Sequence, residues 1–164
     1  MQLIHQAGDL VLLSSCCHNF SPPAVRTALI DRCACSKKHC VSFKACVTVC
    51  MKHCVAFQCG ESGMLMARTS GEPQTSGRDA GLSVFNSSFE RCSEGVTVQG
   101  RSSVSMQNVL CSRNGSWAFG CWGIGSRLML TMCEVEGGGE HYQCEEGGKL
   151  RCITCRPSGP CMED

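Results

Sequence analysis

Aromatic residues are scarce in this chain: six Phe, two Trp and one Tyr in 164 residues leave little material for a thick globular core. Aspartate is scarcer still, with Asp9, Asp31, Asp79 and Asp164 the full set and no two of them adjacent. The carboxylate pairs that carry polysaccharide cleavage are therefore poorly supplied. Long apolar runs are missing. Leu10–Leu13 is the only such run near the start, and nothing approaches the roughly 18 consecutive apolar residues of a membrane helix. No basic segment precedes Leu10, so the start does not read as an export signal, and the expectation is an intracellular, cytoplasmic protein. Charge of one sign is also lacking. Fifteen Lys and Arg against 14 Asp and Glu give a net +1, which points to neither nucleic acid nor membrane as a partner.

What the chain does have is glycine, 18 residues, and cysteine, 17 residues. Cysteine at that density is the usual mark of a disulfide scaffold. An odd number of cysteines, and a chain too long to depend on staples, favour a reducing compartment instead, with most thiols serving as small buried hydrophobes. The length fits one domain or a piece of a larger protein.

The pattern is plainest in residues 82–119. Leu82 and Val84 alternate as a half-buried strand, a polar turn ends in Cys92, and Val96 and Val98 form a second strand. The same order returns as Val104, Met106, Val109, Cys111, the turn signal Asn114-Gly115, then Trp117 and Phe119. Weaker copies lie on both sides. Taking Ile30, Val49, Val84, Met106 and Leu130 as equivalent anchors gives spacings of 19, 35, 22 and 24. Phe43, Met66, Val98 and Phe119 give 23, 32 and 21. Both series share one long interval, which contains residues 67–81, a Gly-, Ser- and Pro-rich stretch read as an inserted loop. A period near 19–24 without a leucine-rich skeleton points to a β-solenoid. The expected inward columns are the two anchor series and a third, Cys33, Cys54, Cys92, Cys111 and Cys133.

The run VFNSSFERCSEGVTVQGRSSVSMQNVLCSRNGSWAF resembles coils of right-handed parallel β-helix proteins of the pectin-lyase-like type. The nearest class is the repeat shared by carbohydrate-binding and sugar-hydrolase proteins and by the β-helix segment of certain F-box proteins. The resemblance covers residues 28–136. It implies an all-β, right-handed parallel β-helix of about four to five coils, with ligand binding or chemistry on an outer face. Residues 1–27 are then an N-terminal tail or cap, and 137–164 a Gly- and Cys-rich C-terminal segment. No helical F-box is visible in residues 1–27.

Of the outward positions assigned by alternation (Thr48, Ser83, Ser105 and Met129 on one face; Ser42, Leu65, Thr97 and Ala118 on the other), none is a carboxylate, so no catalytic residue is assigned. The hydroxyl-bearing faces and an exposed Trp122 are the candidate ligand surface, with Ser83, Thr97, Ser105 and Trp122 as its residues. Trp117 and Phe119 share the core-facing parity. Cys152-x-x-Cys155 has zinc-knuckle spacing, and Cys144 or Cys161 would complete a structural zinc site. A thioredoxin-like role for the same pair lacks its βαβ context, and the pairs His39-Cys40 and His53-Cys54 read as structural turns. Glu134, Glu136, Glu140, Glu145 and Glu146 gather negative charge late in the chain, opposite Lys37, Lys38, Lys44 and Lys52 early. The expected function is a non-enzymatic recognition scaffold for a protein or glycan. The alternatives are a degenerate or truncated polysaccharide lyase or hydrolase, and the substrate-recognition part of a ubiquitin ligase.

Overall fold

The structure, a computed structural model, describes residues 2–7, 10–14, 27–31, 34–35, 41–43, 48–67 and 81–157, with side chains placed for 49–67 and 81–157. The described residues contain no helix, and so none long and apolar enough to cross a membrane. β1 (Gln2–Ala7) and β2 (Leu10–Ser14) form an antiparallel hairpin, and every later pairing is parallel. β2 lies against β3 (Thr27–Asp31), which is followed by β4 (Ala34–Cys35) and β5 (Val41–Phe43). β6 (Thr48–Lys52), β7 (Val55–Phe57) and β8 (Ser62–Ala67) repeat that order one level on. β9 (Gly81–Glu90) and β10 (Glu94–Gln99) make one turn, and β11 (Ser103–Trp122) makes the next alone. β12 (Arg127–Thr131) and β13 (Glu134–Glu145) make a third, and β14 (Lys149–Ile153) starts another. The molecule is thus a parallel β-solenoid, with three uninterrupted turns between Gly81 and Glu145 and three strand-lined sides.

Its core is a set of columns in which each side chain meets its equivalent one turn away, about 4.8 Å along the stack. On side one the columns are Val49–Leu82–Val104–Leu128–Leu150 and Met51–Val84–Met106–Leu130–Cys152, all buried. On side three they are Met64–Val96–Phe119–Tyr142 and Met66–Val98–Cys121–Cys144. Val49 and Phe119 therefore face inward as alternation requires, but each belongs one inward position away from its expected column. The period-two signal fixes a residue's face; it does not choose between i and i+2.

The expected cysteine column is not one column. Cys54, Ser87, Val109, Cys133 and Cys155 occupy the corner after side one, whereas Cys111 stacks on Phe89 and under Val135 on side two. Cys92 belongs to the next corner with Cys59. Burial pushes the Cys111 thiol well up, and Cys133 adds to it. The hydrogen bond with the Cys59 thiol, then burial, pushes Cys92 far above the ordinary thiol range. These thiols are packing groups. Cys33 lies outside the described residues, as do His39 and Cys40.

The corners are made by residues in the left-handed region. His53, Asn86, Asn108, Met132 and Thr154 have φ of 53°, 47°, 55°, 51° and 55°, one per turn immediately before the first corner. Gln58, Arg91, Arg113 and Gly137 do the same at the second, with φ of 53°, 50°, 54° and 58°. Asn108 Nδ2 donates to Asn86 Oδ1 at 2.8 Å, so two of these corners are also tied side chain to side chain. At the second corner Asn114 is buried. Its Oδ1 accepts from the Cys92 N–H at 3.0 Å and its Nδ2 donates to the Phe89 carbonyl at 3.1 Å, satisfying two backbone groups that the bend leaves over.

The glycine run 137–139 is another such corner rather than the end of the pattern, and pairing extends through β13 and β14 past residue 136. A Cβ at Gly138 would lie 2.8 Å from Asn114 N and closer still to Asn114 O, and one at Gly139 would run into the carbonyls of Gly115 and Ser116. Backbone rests on backbone here, which only glycine permits. Apart from Ala67 and Gly81, the expected inserted loop 67–81 lies outside the described residues.

Candidate ligand-binding site

Side three carries the most differentiated outer surface. Between the inward residues of β10 and β11, the outward positions Thr97, Gly120 and Gln143 stand in register, flanked by Gln99, Trp122 and Glu145. At the corner that opens this side, Ser62 is in register with Glu94, and Trp117 with Glu140. Trp117 shares the parity of Phe119 and Cys121, yet its ring lies on the outer face. The register shift between Asn114 and Trp117 marks the bend that turns it there.

Trp117 and Trp122 then meet above Gly120, with ring centroids 4.7 Å apart and planes tilted by 55°. A Cβ on Gly120 would overlap the Cη2 and Cζ3 edge of Trp122 and lie 2.8 Å from Trp117 Nε1. The missing side chain is the seat of the aromatic pair. Trp117 Nε1 donates to Thr97 Oγ1 at 3.3 Å, Thr97 Oγ1 donates to Glu94 Oε2 at 2.8 Å, and Ser62 Oγ donates to the same oxygen at 2.6 Å. This chain of bonds fixes the rotamer of Trp117, and Thr97 is held nearly buried beneath it. Gln143 Nε2 donates to Glu145 Oε1 at 2.9 Å, while its shielded Oε1 has no donor.

The surface is acidic around the rings, with Glu94, Glu140 and Glu145 along it. Two half-exposed indoles bordered by the carboxylates and amide of Glu140, Gln143 and Glu145 are the components from which sites for neutral polyhydroxylated ligands are built: apolar C–H faces on the rings, and directed hydrogen bonds at the edge. The buried hydroxyls of Ser62 and Thr97 hold the platform from beneath.

No protein-family model, no curated protein and no solved structure matches the chain. The site is therefore read from its geometry.

Of the four ligand residues expected from the sequence, the structure brings Thr97 and Trp122 together on side three. Ser83 and Ser105 lie elsewhere, in register with each other on the outer face of side one, half-buried between Cys50 and the exposed Met129. Thr48 belongs two positions from that row. Ser62, Glu94, Trp117 and Gly120 escaped the sequence reading. Parity assigned Trp117 to the core, and its place at a corner reverses that; Glu94, beside Gly95 at the same corner, has inward parity too.

Among the described residues, no three of His, Cys, Asp and Glu come together as a metal-binding set. Cys152 lies inward on side one above Leu130, and Cys155 at the corner beside Cys133. Cys144 ends side three at a different corner, above Cys121. Cys161 lies outside the described residues. Tyr142 faces Cys152 and Cys155. Burial, then the Cys152, Cys155 and Cys133 thiols, raise its hydroxyl well above the ordinary phenol range, and that hydroxyl donates to the Pro157 carbonyl at 2.7 Å.

The late charges are sorted by side. Glu134 and Glu136 lie on side two and Glu140 and Glu145 on side three, while side one of the same turns exposes Arg127, Lys149 and Arg151. Lys37, Lys38 and Lys44 lie outside the described residues.

Proposed function

We propose that this protein is a non-enzymatic recognition scaffold that binds a neutral glycan on the outer face of side three. The observation that carries the reading is the Trp117–Trp122 pair seated over Gly120 and tied through Thr97 to Glu94. Sugar rings stack on such indoles, and a rigid, pre-set platform spares the ligand the ordering of its partner side chains. The acidic surround disfavours anionic sugars. We further read the solenoid as right-handed, the hand of nearly all parallel crossovers. By the resemblance of its repeats we take it as pectin-lyase-like, with about four to five coils.

A protein partner is the second reading, favoured by a different surface. Met129 and Ile153 are exposed on side one among Arg127, Lys149 and Arg151, a mixed apolar and basic patch suited to an acidic protein surface. Substrate recognition within a ubiquitin ligase is one version of it.

The test is a broad array of neutral and anionic glycans, probed with and without calcium, using the folded chain and its Trp122→Ala variant. Selective binding to neutral glycans that the variant loses supports the proposal. Binding unchanged in the variant, or none at all by folded protein, overturns it. Calcium-dependent release of cleaved product instead favours the lyase or hydrolase reading, an unsaturated new end marking the lyase.

A further inference from the structure

The end of side three carries a pair of thiols of unequal access. Cys121 and Cys144 are direct register partners on parallel β11 and β13, both of inward parity, with Cα atoms separated by one strand spacing of about 4.8 Å. A disulfide requires Cα atoms about 4.4–6.8 Å apart, so the pair meets that requirement without backbone movement. Both sulfurs also point into the same turn. Cys121 Sγ donates to the Lys149 carbonyl at 3.5 Å and Cys144 Sγ to the Gly148 carbonyl at 2.9 Å. Cys121 is fully buried, whereas Cys144 is exposed, because no further strand of side three covers it among the described residues.

We propose that Cys121 and Cys144 form a thiol–disulfide exchange site, which oxidised low-molecular-weight disulfides convert to an intramolecular bond between consecutive turns. Cys144, the exposed partner, gives up its proton and attacks one sulfur of the small disulfide, forming a mixed disulfide and releasing one small thiol. Cys121 then loses its proton and attacks the Cys144 sulfur, releasing the second. Two protein thiols are oxidised and one disulfide is reduced to two thiols, so electrons and protons balance. The order follows from access and from acidity. Burial first, and the neighbouring Cys144 thiol in lesser part, push Cys121 up to about 11 against the opposing Lys149 carbonyl, so Cys121 is a poor first nucleophile. The second step is the slow one and quickens as pH rises.

Other thiol pairs also lie on neighbouring turns, Cys59 with Cys92 and Cys133 with Cys155, but these four sulfurs are all buried. They lack the entry point that Cys144 supplies.

The test uses the whole, reduced chain under native conditions, treated with oxidised glutathione and quenched by alkylation. Tryptic mapping is then compared with an untreated sample. The expected product links peptide 114–127 to peptide 128–149 through Cys121 and Cys144, with Cys133 in the second peptide alkylated. Its rate of formation rises several-fold for each pH unit between about 7 and 9. The Cys121→Ser variant stops at a glutathione adduct on Cys144, and this variant reports on the first step even if the bond itself perturbs folding. A stable Cys144 adduct in the unmodified chain with Cys121 still alkylatable overturns the proposal. So does a first-formed bond at Cys133–Cys155, or no reaction.

Discussion

Trp117 donates its indole N–H to the hydroxyl of Thr97, 3.3 Å away on the preceding turn, and through that hydroxyl is anchored to Glu94. The ring is thereby placed before any ligand arrives, and Trp122 leans on it across a glycine. On the proposed glycan-binding role, affinity and fold are separable here, because the ring edge at Gly120 belongs to a side chain that can swing away.

Gly120→Ala therefore displaces Trp122 rather than the backbone. Loss of one stacked aromatic, about 0.5–1.5 kcal/mol, lowers affinity for the best glycan by roughly 2- to 12-fold. The urea midpoint should move by less than the equivalent of about 1 kcal/mol, because the ring that gives way, Trp122, is half-exposed. Titration calorimetry beside a denaturation curve separates the two, and wild-type affinity in the variant removes the platform from the binding site.

Asn114→Ala should be among the most damaging single changes in the chain. It strands the Cys92 N–H and the Phe89 carbonyl inside the solenoid, at about 1–3 kcal/mol for each unsatisfied group. Asn114→Asp keeps the acceptor for Cys92 but buries a carboxylate against the Phe89 carbonyl, so its urea midpoint should be well below wild type at neutral pH and recover toward it at acid pH, where the protonated carboxyl can donate. Equal stability of all three proteins would show that the corner does not depend on this side chain.

Met132 is an exposed residue at φ 51°, equivalent to Asn86 and Asn108 on earlier turns. Asparagine tolerates that backbone better than methionine and offers an amide to Asn108. Met132→Asn is expected to raise stability by about 0.5–1.5 kcal/mol, one net hydrogen bond, read as an increase in melting temperature. A lower melting temperature would mean that the ladder of corner amides does not extend to a third turn.

Stability should fall with alkalinity under reducing conditions. Burial raises the Cys121 and Cys133 thiols from the ordinary value of 9.0 to about 11, and Cys111 is raised as well. Between about pH 9 and 11 the unfolded chain releases these protons while the folded chain keeps them, so the folded state binds more protons and loses relative stability as pH rises. The urea midpoint should be flat with respect to these thiols below pH 8 and drop above 9. A midpoint that holds or rises from 8 to 10 contradicts their burial as neutral groups.

The sequence displays the solenoid because straight strands obey parity: Leu82 and Val84, Val104 and Met106, Leu128 and Leu130 all point where alternation sends them. It conceals the site because the site begins at a bend. Glu94 and Trp117 have inward parity but lie on the outer face, and the residues that make the bends share no chemistry. His53, Arg91, Arg113, Met132 and Thr154 all adopt left-handed backbone beside the more predictable Asn86 and Asn108. Their conformation is imposed by the stack, where each turn copies the one beneath it, rather than by their own preference. Cysteine misled for a related reason. A small apolar side chain suits every inward corner and strand position, so its recurrence carries no register.

The recurrence of a left-handed residue at one corner of every described turn also fixes how such a molecule grows. From Asn86 to Asn108 is 22 residues, from Asn108 to Met132 is 24, and from Met132 to Thr154 is 22. Each interval starts and ends in the same backbone state and on the same rung position. A length of chain excised or duplicated between two of these residues rejoins without a bend to re-form or a strand to re-register. The molecule is in this sense modular: whole intervals are its units of gain and loss. The aromatic platform takes Trp117 and Trp122 from one interval and Thr97 and Glu94 from the interval before, so it moves along the axis intact only when the two travel together.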